Sequence, residues 1–236
     1  MTVQRTYKQY CGLAAALDVI GERWTLLIIR ELLAGPKRYG ELIKNLTGIG
    51  TNLLAERLKF LAEKGVIEKT SGTGKRQAYA LTELGESLRP TVLGLARWGL
   101  DYVGDLPEEY EVRASWGLLA VEAMIEPTQA DRAEQYEFRI DDEVFHVAVT
   151  PGAANVVAGP AASPIAVVVT DGATFVRIGA GALAPFAALA SGKLKLDGDP
   201  GAIMRACALL QLDTGISLAT GRGTAPPQAE PQSASA

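Results

Sequence analysis

The sequence predicts an α+β protein in two parts: a winged helix-turn-helix unit, then an α/β unit with a small mixed sheet and helices. Three observations carry this. The stretch from Tyr39 to Leu81 reads as a short helix, a Gly-containing turn, a longer helix, and two strands around a Gly-rich basic loop. From Tyr136 onward, short alternating strands mix with helical stretches. Charge divides the same way: residues 1–103 hold 15 Lys and Arg against 10 Asp and Glu, a net of +5, and residues 104–236 hold 8 against 17, a net of −9. A basic first half joined to an acidic second half points to a polyanion partner for the first half alone. Small domains often differ by several charges, so this signal needs the motif beside it.

At 236 residues, 48% of them apolar, the chain has material for two cores. The expected division is 1–104, 105–220 and a disordered tail at 221–236 rich in Pro, Ala and Ser. No run of about 18 uncharged apolar residues exists to cross a membrane. The N-terminus lacks the apolar segment of a signal peptide. Two cysteines cannot build a secreted disulfide framework. The expectation is a soluble, cytoplasmic protein.

Met1 to Tyr10 reads as an arm. A first helix is expected over about Cys11–Ile20, with Leu13, Leu17 and Ile20 at helical spacing. Gly21 breaks it. A second helix, about Glu22–Ala34, is apolar nearly all round and hence buried, and Gly35-Pro36 ends it. Lys37 and Arg38 follow in the loop, placed for phosphate, though two such residues are usually just solvated.

Thr47-Gly48-Ile49-Gly50 makes the turn of the motif. The next helix, about Thr51–Glu63, is capped by Thr51 or Gly50 and closed by Gly65. At 100° per residue Leu54, Leu58 and Leu61 share the inward side, and Asn52, Glu56, Lys59 and Glu63 lie opposite with Ala55 at the edge. Alone, this is an ordinary amphipathic surface helix. Beside the turn and the wing it is a recognition helix for a major groove. Val66–Thr70 and Gln77–Leu81 are the wing strands. Lys75 and Arg76 end the loop between them, where they would meet the sugar-phosphate backbone. Thr82 caps a further helix to about Val103 that Pro90 should kink or split. Its stripe of Leu84, Leu88, Val92, Leu95, Trp98 and Tyr102 is either buried or a dimer surface.

Residues 11–103 resemble the HxlR-type winged-helix regulators. The resemblance rests on Cys11, Leu17–Thr25, Gly35-Pro36, Tyr39–Leu42, Leu54, Arg57-Leu58, Leu61, Gly65, Tyr79–Thr82 and Gly85. It implies a homodimeric transcription factor on a partly palindromic operator of double-stranded DNA. With the outward face of the recognition helix and the basic loops, the expected DNA contacts are Lys37, Arg38, Thr51, Asn52, Ala55, Glu56, Lys59, Lys75 and Arg76. The recognition helix departs from the family pattern: Gly50 stands where a Ser is expected and Ala55 where a Thr is expected. The capping side chain then falls to Thr51, and Ala55 would read a base by contact with a thymine methyl. Several such proteins carry a redox-sensing Cys where Cys11 stands. At a helix start the dipole favours a thiolate; the alternative is a small structural residue. Cys207 is expected in a core.

Leu106–Asp131 is a junction, with an acidic stretch at Glu108, Glu109 and Glu111 and a helix over Ser115–Ile125. A hairpin follows: Tyr136, Phe138 and Ile140 alternate with Glu137 and Arg139, Asp141-Asp142 turns, and Phe145, Val147 and Val149 alternate with His146 and Ala148. Val156-Val157 and Ile165–Thr170 are further strands, and Asp171–Ser191 is helical despite its glycines. Gly192–Asp199 leads as a strand into a helix over Pro200–Leu212, capped by Asp199 with Pro200 first. The run Ala190–Asp199, behind a hairpin and a Val-rich strand, resembles the sterol-carrier-type fold. That resemblance implies an apolar tunnel for lipid-like ligands, and Phe138, Phe145, Val147, Val167, Val169, Phe175 and Phe186 are the expected lining.

No paired His, Cys-x-x-Cys, HExxH or phosphate loop is present, and the lone His146 reads as a sheet residue. No cofactor or metal is expected, and no catalysis. The reading is a sequence-specific DNA-binding regulator modulated by an apolar small molecule, with no membrane partner. Two alternatives stay open: a carrier of acyl ligands that dimerises through its winged helix, and a thiol-based sensor acting through Cys11.

Overall fold

The computed structural model describes residues 6–71, 77–103, 113 and 116–213. The wing-tip residues Lys75 and Arg76, the acidic junction and the tail at 221–236 lie outside them.

The chain opens with α1 (Gly12–Ile20) and α2 (Thr25–Leu33), then α3 (Tyr39–Asn45) and α4 (Thr51–Glu63), the helix-turn-helix pair. The strands β1 (Ile67–Ser71) and β2 (Gln77–Leu81) pair antiparallel. Lys37 adds a one-residue third strand, exchanging backbone hydrogen bonds with Tyr79 at 3.0 and 2.8 Å. The residues before α1 are tied to it: Thr6 Oγ1 donates to Asp18 at 2.7 Å and the Tyr7 N–H at 3.0 Å. α2 begins three residues later than the apolar pattern predicts. Trp24 takes a left-handed conformation, φ 78°, with its ring 3.6 Å from where a Cβ on Gly48 would stand. Helix cannot propagate through such a residue. α4 ends in a Schellman motif: Gly65, at φ 71°, donates to Ala62 and Val66 to Leu61.

Pro90 splits the next helical stretch, as its missing N–H demands. Thr82 caps α5 (Glu83–Glu86) by accepting from the Gly85 N–H, and Pro90 sits in the first turn of α6 (Arg89–Gly99), where no donor is needed. Gly85 is required by close approach, because a Cβ there would stand 2.1 Å from the Val66 carbonyl oxygen. Leu54, Leu58 and Leu61 of α4 join Ile28, Ile29, Leu32 and Leu42 in the first core, each at most 2% exposed. Val92 closes that core from α6, whereas Leu95, Trp98 and Tyr102 of the same stripe stay exposed.

The second half starts with α7 (Gly117–Met124) and continues through β3 (Glu134–Ile140), β4 (Glu143–Thr150), β5 (Ala153–Ala158), β6 (Ala166–Thr170), α8 (Gly172–Gly179), α9 (Pro185–Ala190), β7 (Leu194–Gly198) and α10 (Pro200–Leu209). The glycine-rich stretch 171–191 thus forms two short helices. The five strands run β5-β4-β3-β6-β7, with only β3 and β6 parallel. The hairpin turns at Asp141, φ 49°. Asp199 caps α10 by accepting from the Ala202 N–H at 2.6 Å. Tyr136, Phe138, Ile140, Phe145, Val147 and Val149 form the buried face of the sheet, and Phe138 stacks on Phe145 at 5.3 Å.

Glu137 breaks the alternation. It points to the opposite face and is still 2% exposed, because the 159–163 loop closes over it. Burial pushes its carboxyl up, but the Ala161 N–H and the Arg139 guanidinium outweigh that and hold it below the ordinary range. His146, its cross-strand neighbour, holds the Gly159 carbonyl through Nδ1 at 2.9 Å.

Candidate nucleic-acid interface and apolar cavity

α4 presents one uninterrupted outward row. Thr51, Asn52, Ala55, Glu56 and Lys59 are all exposed, and Leu54, Leu58 and Leu61 anchor the opposite side. The row is therefore set by the heptad-like spacing of three leucines rather than by loop geometry. The helix is capped by Gly50, φ −72°, with no side-chain bond, so Thr51 stands as the first helical residue and does not serve as the cap. The Tyr39 hydroxyl donates to the Thr51 carbonyl at 2.7 Å and fixes the entry of the helix from α3. Arg57 reaches away from the row to Glu22 at 3.0 Å. Lys59, 79% exposed, is only loosely paired with Glu63 at 3.8 Å, a surface contact that costs little to open.

Lys37 and Arg38 are half-buried at the wing base. The Arg38 N–H donates to Glu41 at the start of α3. Lys69 and Tyr79, opposite each other on the wing strands, line a shallow groove with Ala55, Lys59 and Ala62 of α4. The sequence reading passed over Lys69. Its signal was strand alternation beside Ile67 and Tyr79, which a five-residue strand carries weakly.

Cys11 caps α1 and is exposed. No capping hydrogen bond closes on its sulfur, yet the backbone N–H groups of Ala14 and Leu13 draw the thiol below its ordinary value. Cys207 is buried, and burial pushes its thiol up.

Between the sheet and its helices lies a cavity of about 60 Å³ walled by Val121, Met124, Tyr136, Phe138, Val168, Phe175 and Cys207, among others. The expected lining needs correction. Phe138 and Phe175 do face the cavity. Phe145 and Val147 are buried in the dry core behind it, and Phe186 is half-buried away from it. Val167 and Val169 lie on the other sheet face, Val169 being 38% exposed. Val168 takes their place, because a one-residue difference in register exchanges faces. In β3 and β4 flanking polar residues marked the inward set; in Ala166–Thr170 three consecutive valines left it unmarked.

The cavity shares Met124, Ile178, Gly179, Leu210 and Leu212 with a wider cleft of about 650 Å³, whose far wall is Arg97, Trp98 and Leu100 at the end of α6. At its other end the Tyr136 hydroxyl donates to Glu134, which also accepts from Arg205. Burial and Glu134 raise the Tyr136 hydroxyl above its usual value. Among the described residues no group of three or more His, Cys, Asp and Glu is placed to hold a metal ion, and no helix is long and apolar enough to cross a membrane.

The HxlR-like helix-turn-helix family matches residues 19–106, and the SCP-2 sterol transfer family matches residues 120–211. Over 90 residues the chain is 42% identical to the uncharacterized HTH-type transcriptional regulator Rv3095 of Mycobacterium tuberculosis; the match covers 37% of this chain and 56% of that protein. The chain thus spans about half the length of that relative. It is 33% identical over 106 residues to the uncharacterized HTH-type transcriptional regulator YkvN of Bacillus subtilis, covering 43% of this chain and 90% of the relative. To the HTH-type transcriptional regulator YodB of B. subtilis it is 35% identical over 86 residues, 36% and 77% of the two chains. Among solved structures, the redox regulator HypR in its oxidized form is 30% identical, covering 38% of this chain and 94% of that one with a TM-score of 0.36.

Proposed function

Because this chain belongs to the HxlR-like helix-turn-helix family, we propose that it is a homodimeric, sequence-specific DNA-binding regulator whose second domain takes up an apolar small molecule. The observation that carries the DNA reading is the outward row of α4, held by a buried leucine stripe and flanked by Lys69 and Lys37. In this reading Asn52, Ala55, Glu56 and Lys59 meet base edges, Thr51, Lys37 and Arg38 meet backbone, and Lys75 and Arg76 extend the phosphate contacts at the wing tip. Dimerisation uses the exposed Leu95, Trp98 and Tyr102 of the α6 end, with Leu13 and Leu17 of α1. The working boundaries are 1–104 for the DNA-binding unit and 105–220 for the ligand unit.

The test is a gel shift on the chain's own upstream region across a salt series. A regulator prefers that region over scrambled DNA of equal length, with log affinity falling linearly in log salt. Equal binding to both DNAs supports instead a carrier that dimerises through its winged helix.

Two observations extend the reading. The apolar cavity opening to a cleft supports uptake of an amphiphile with its apolar end inside. By this measure a water needs roughly 10–15 Å³, so a cavity of about 60 Å³ admits a small group, and a long chain requires the walls to part. The exposed Cys11, with a lowered thiol pKa at a helix start, supports a thiol input.

A further inference from the structure

One of the places where the two halves of the chain meet is a buried carboxylate. Glu31 lies in α2, 2% exposed, and both its oxygens are occupied. Oε1 accepts from Arg30 and from the Trp116 indole N–H, each at 2.8 Å, and Oε2 accepts from the Asn45 side chain at 2.8 Å. The Arg30 guanidinium also stacks 4.0 Å over the Trp116 ring. One residue earlier in α3, the Lys44 carbonyl accepts from Arg113 at 2.8 Å. Arg113 and Trp116 both follow residue 106, where the match to the helix-turn-helix family ends. The end of α3 is therefore held from outside the reading unit directly at Lys44, by Arg113, and at one remove at Asn45, whose partner Glu31 accepts from Trp116, immediately before the turn that launches α4.

Trp116 is also the N-cap of α7, and α7 belongs to both cores. Leu119 packs in the first core, Val121 and Met124 wall the cavity, and Leu118 touches both cores. Glu122 adds an ion pair to Arg89 of α6 at 2.9 Å, and Arg89 also donates to the Leu33 carbonyl that ends α2. A helix of eight residues has no internal joint, so a shift at Val121 or Met124 must appear at Trp116.

We propose that Trp116 is a positioning residue for DNA reading: through Glu31 and Asn45 it sets the end of α3 and the pose of α4, and α7 carries the state of the cavity to it. This rests on the regulator reading for its DNA consequence and on α7 geometry for its mechanics. A buried carboxylate is suited to the task. Removing one donor leaves a charge short of a partner, so the hub favours one arrangement over its neighbours.

The experiment uses the full chain and needs no ligand. Trp116→Phe keeps the stack on Arg30 and removes the N–H, and Glu31→Gln is its partner variant. Ala206→Leu fills the cavity from α10, with Ala206→Val as the smaller substitute if the first does not fold. Amide exchange is followed at residues 44–52, with β3 and β4 as the control. Trp116→Phe is expected to speed exchange at 44–52 at least threefold and leave the control unchanged. Filling the cavity is expected to alter exchange at 44–52 in the wild-type background and not in Trp116→Phe. Operator affinity should fall three- to tenfold in Trp116→Phe and be restored by no cavity variant. Exchange at 44–52 that is unchanged by Trp116→Phe, or that responds to cavity filling equally in both backgrounds or in neither, overturns the proposal. If the exchange results hold and the wild-type chain prefers no DNA, the coupling stands and the regulator reading fails.

Discussion

In the proposed reading, Asn52 and the wing cations divide the work of recognition by chemistry. An amide can pair with one base edge in two directions at once, whereas a Lys or Arg at the wing meets phosphate, which is the same at every step. Asn52→Ala should therefore relax specificity by about 1–3 kcal/mol at one base pair, while Lys75→Ala with Arg76→Ala should weaken all sequences alike and flatten the salt slope by about one to two contacts. Competition binding with single-base operator variants separates them, and equal loss on specific and non-specific DNA in Asn52→Ala removes that residue from base readout. The same scale settles Cys11. The N–H groups of Ala14 and Leu13 stabilise its thiolate, so the pH midpoint of alkylation by iodoacetamide should lie below that of an ordinary thiol, with Cys207 inert. If Cys11→Ser and wild type bind the operator alike before and after diamide, the thiol has no regulatory role.

Elements were legible wherever a side-chain pattern and a terminus signal agreed. α4 has both, in Leu54, Leu58 and Leu61 and in Gly65, and α10 has Asp199 and Pro200. The start of α2 was not legible, because the left-handed Trp24 answers to tertiary packing on Gly48. Val168 was misread for want of polar neighbours to set the face of β6, and Trp116 was passed over because its partner Glu31 stands 85 residues earlier. The β3–α10 junction carries a prediction of its own. Arg205 donates to both Glu134 oxygens and holds that carboxyl, 7% exposed, below the ordinary range. A carboxylate lowered in the folded state stabilises the fold above its unfolded pKa, and the gain is lost as pH falls through the lowered folded value. Urea unfolding of the C-terminal domain should therefore weaken below about pH 4.3, the unfolded Glu value, and Arg205→Gln should unfold more easily at pH 7 with a smaller acid loss. A variant whose pH profile parallels wild type would remove the pair from acid stability.

At the scale of the molecule, the question is whether the cavity and the DNA row answer to one equilibrium. A ligand can shift operator affinity only by its differential affinity for the arrangements the dimer samples. The cavity is apolar, about 60 Å³, and its mouth faces Arg97 and Trp98 of the helix that also bears the proposed dimer surface. Opening it for an acyl chain parts α8 and α10 from the sheet, exposing side chains now dry, and gains roughly 25 cal/mol per Å² of ligand surface removed from water. The gain must exceed that exposure for uptake to occur at all, so long chains should bind where short ones do not. Titration with saturated fatty acids of increasing length, followed by native mass spectrometry, should show uptake above a threshold length and a matching step in operator affinity. Trp98→Ala, which opens the mouth, should lower the threshold. A chain that takes up no fatty acid at any length, with operator affinity flat across the titration, would leave the second domain as a docking body whose only contribution to DNA binding is the hold of Arg113 on α3 and of Trp116 on Glu31 of α2.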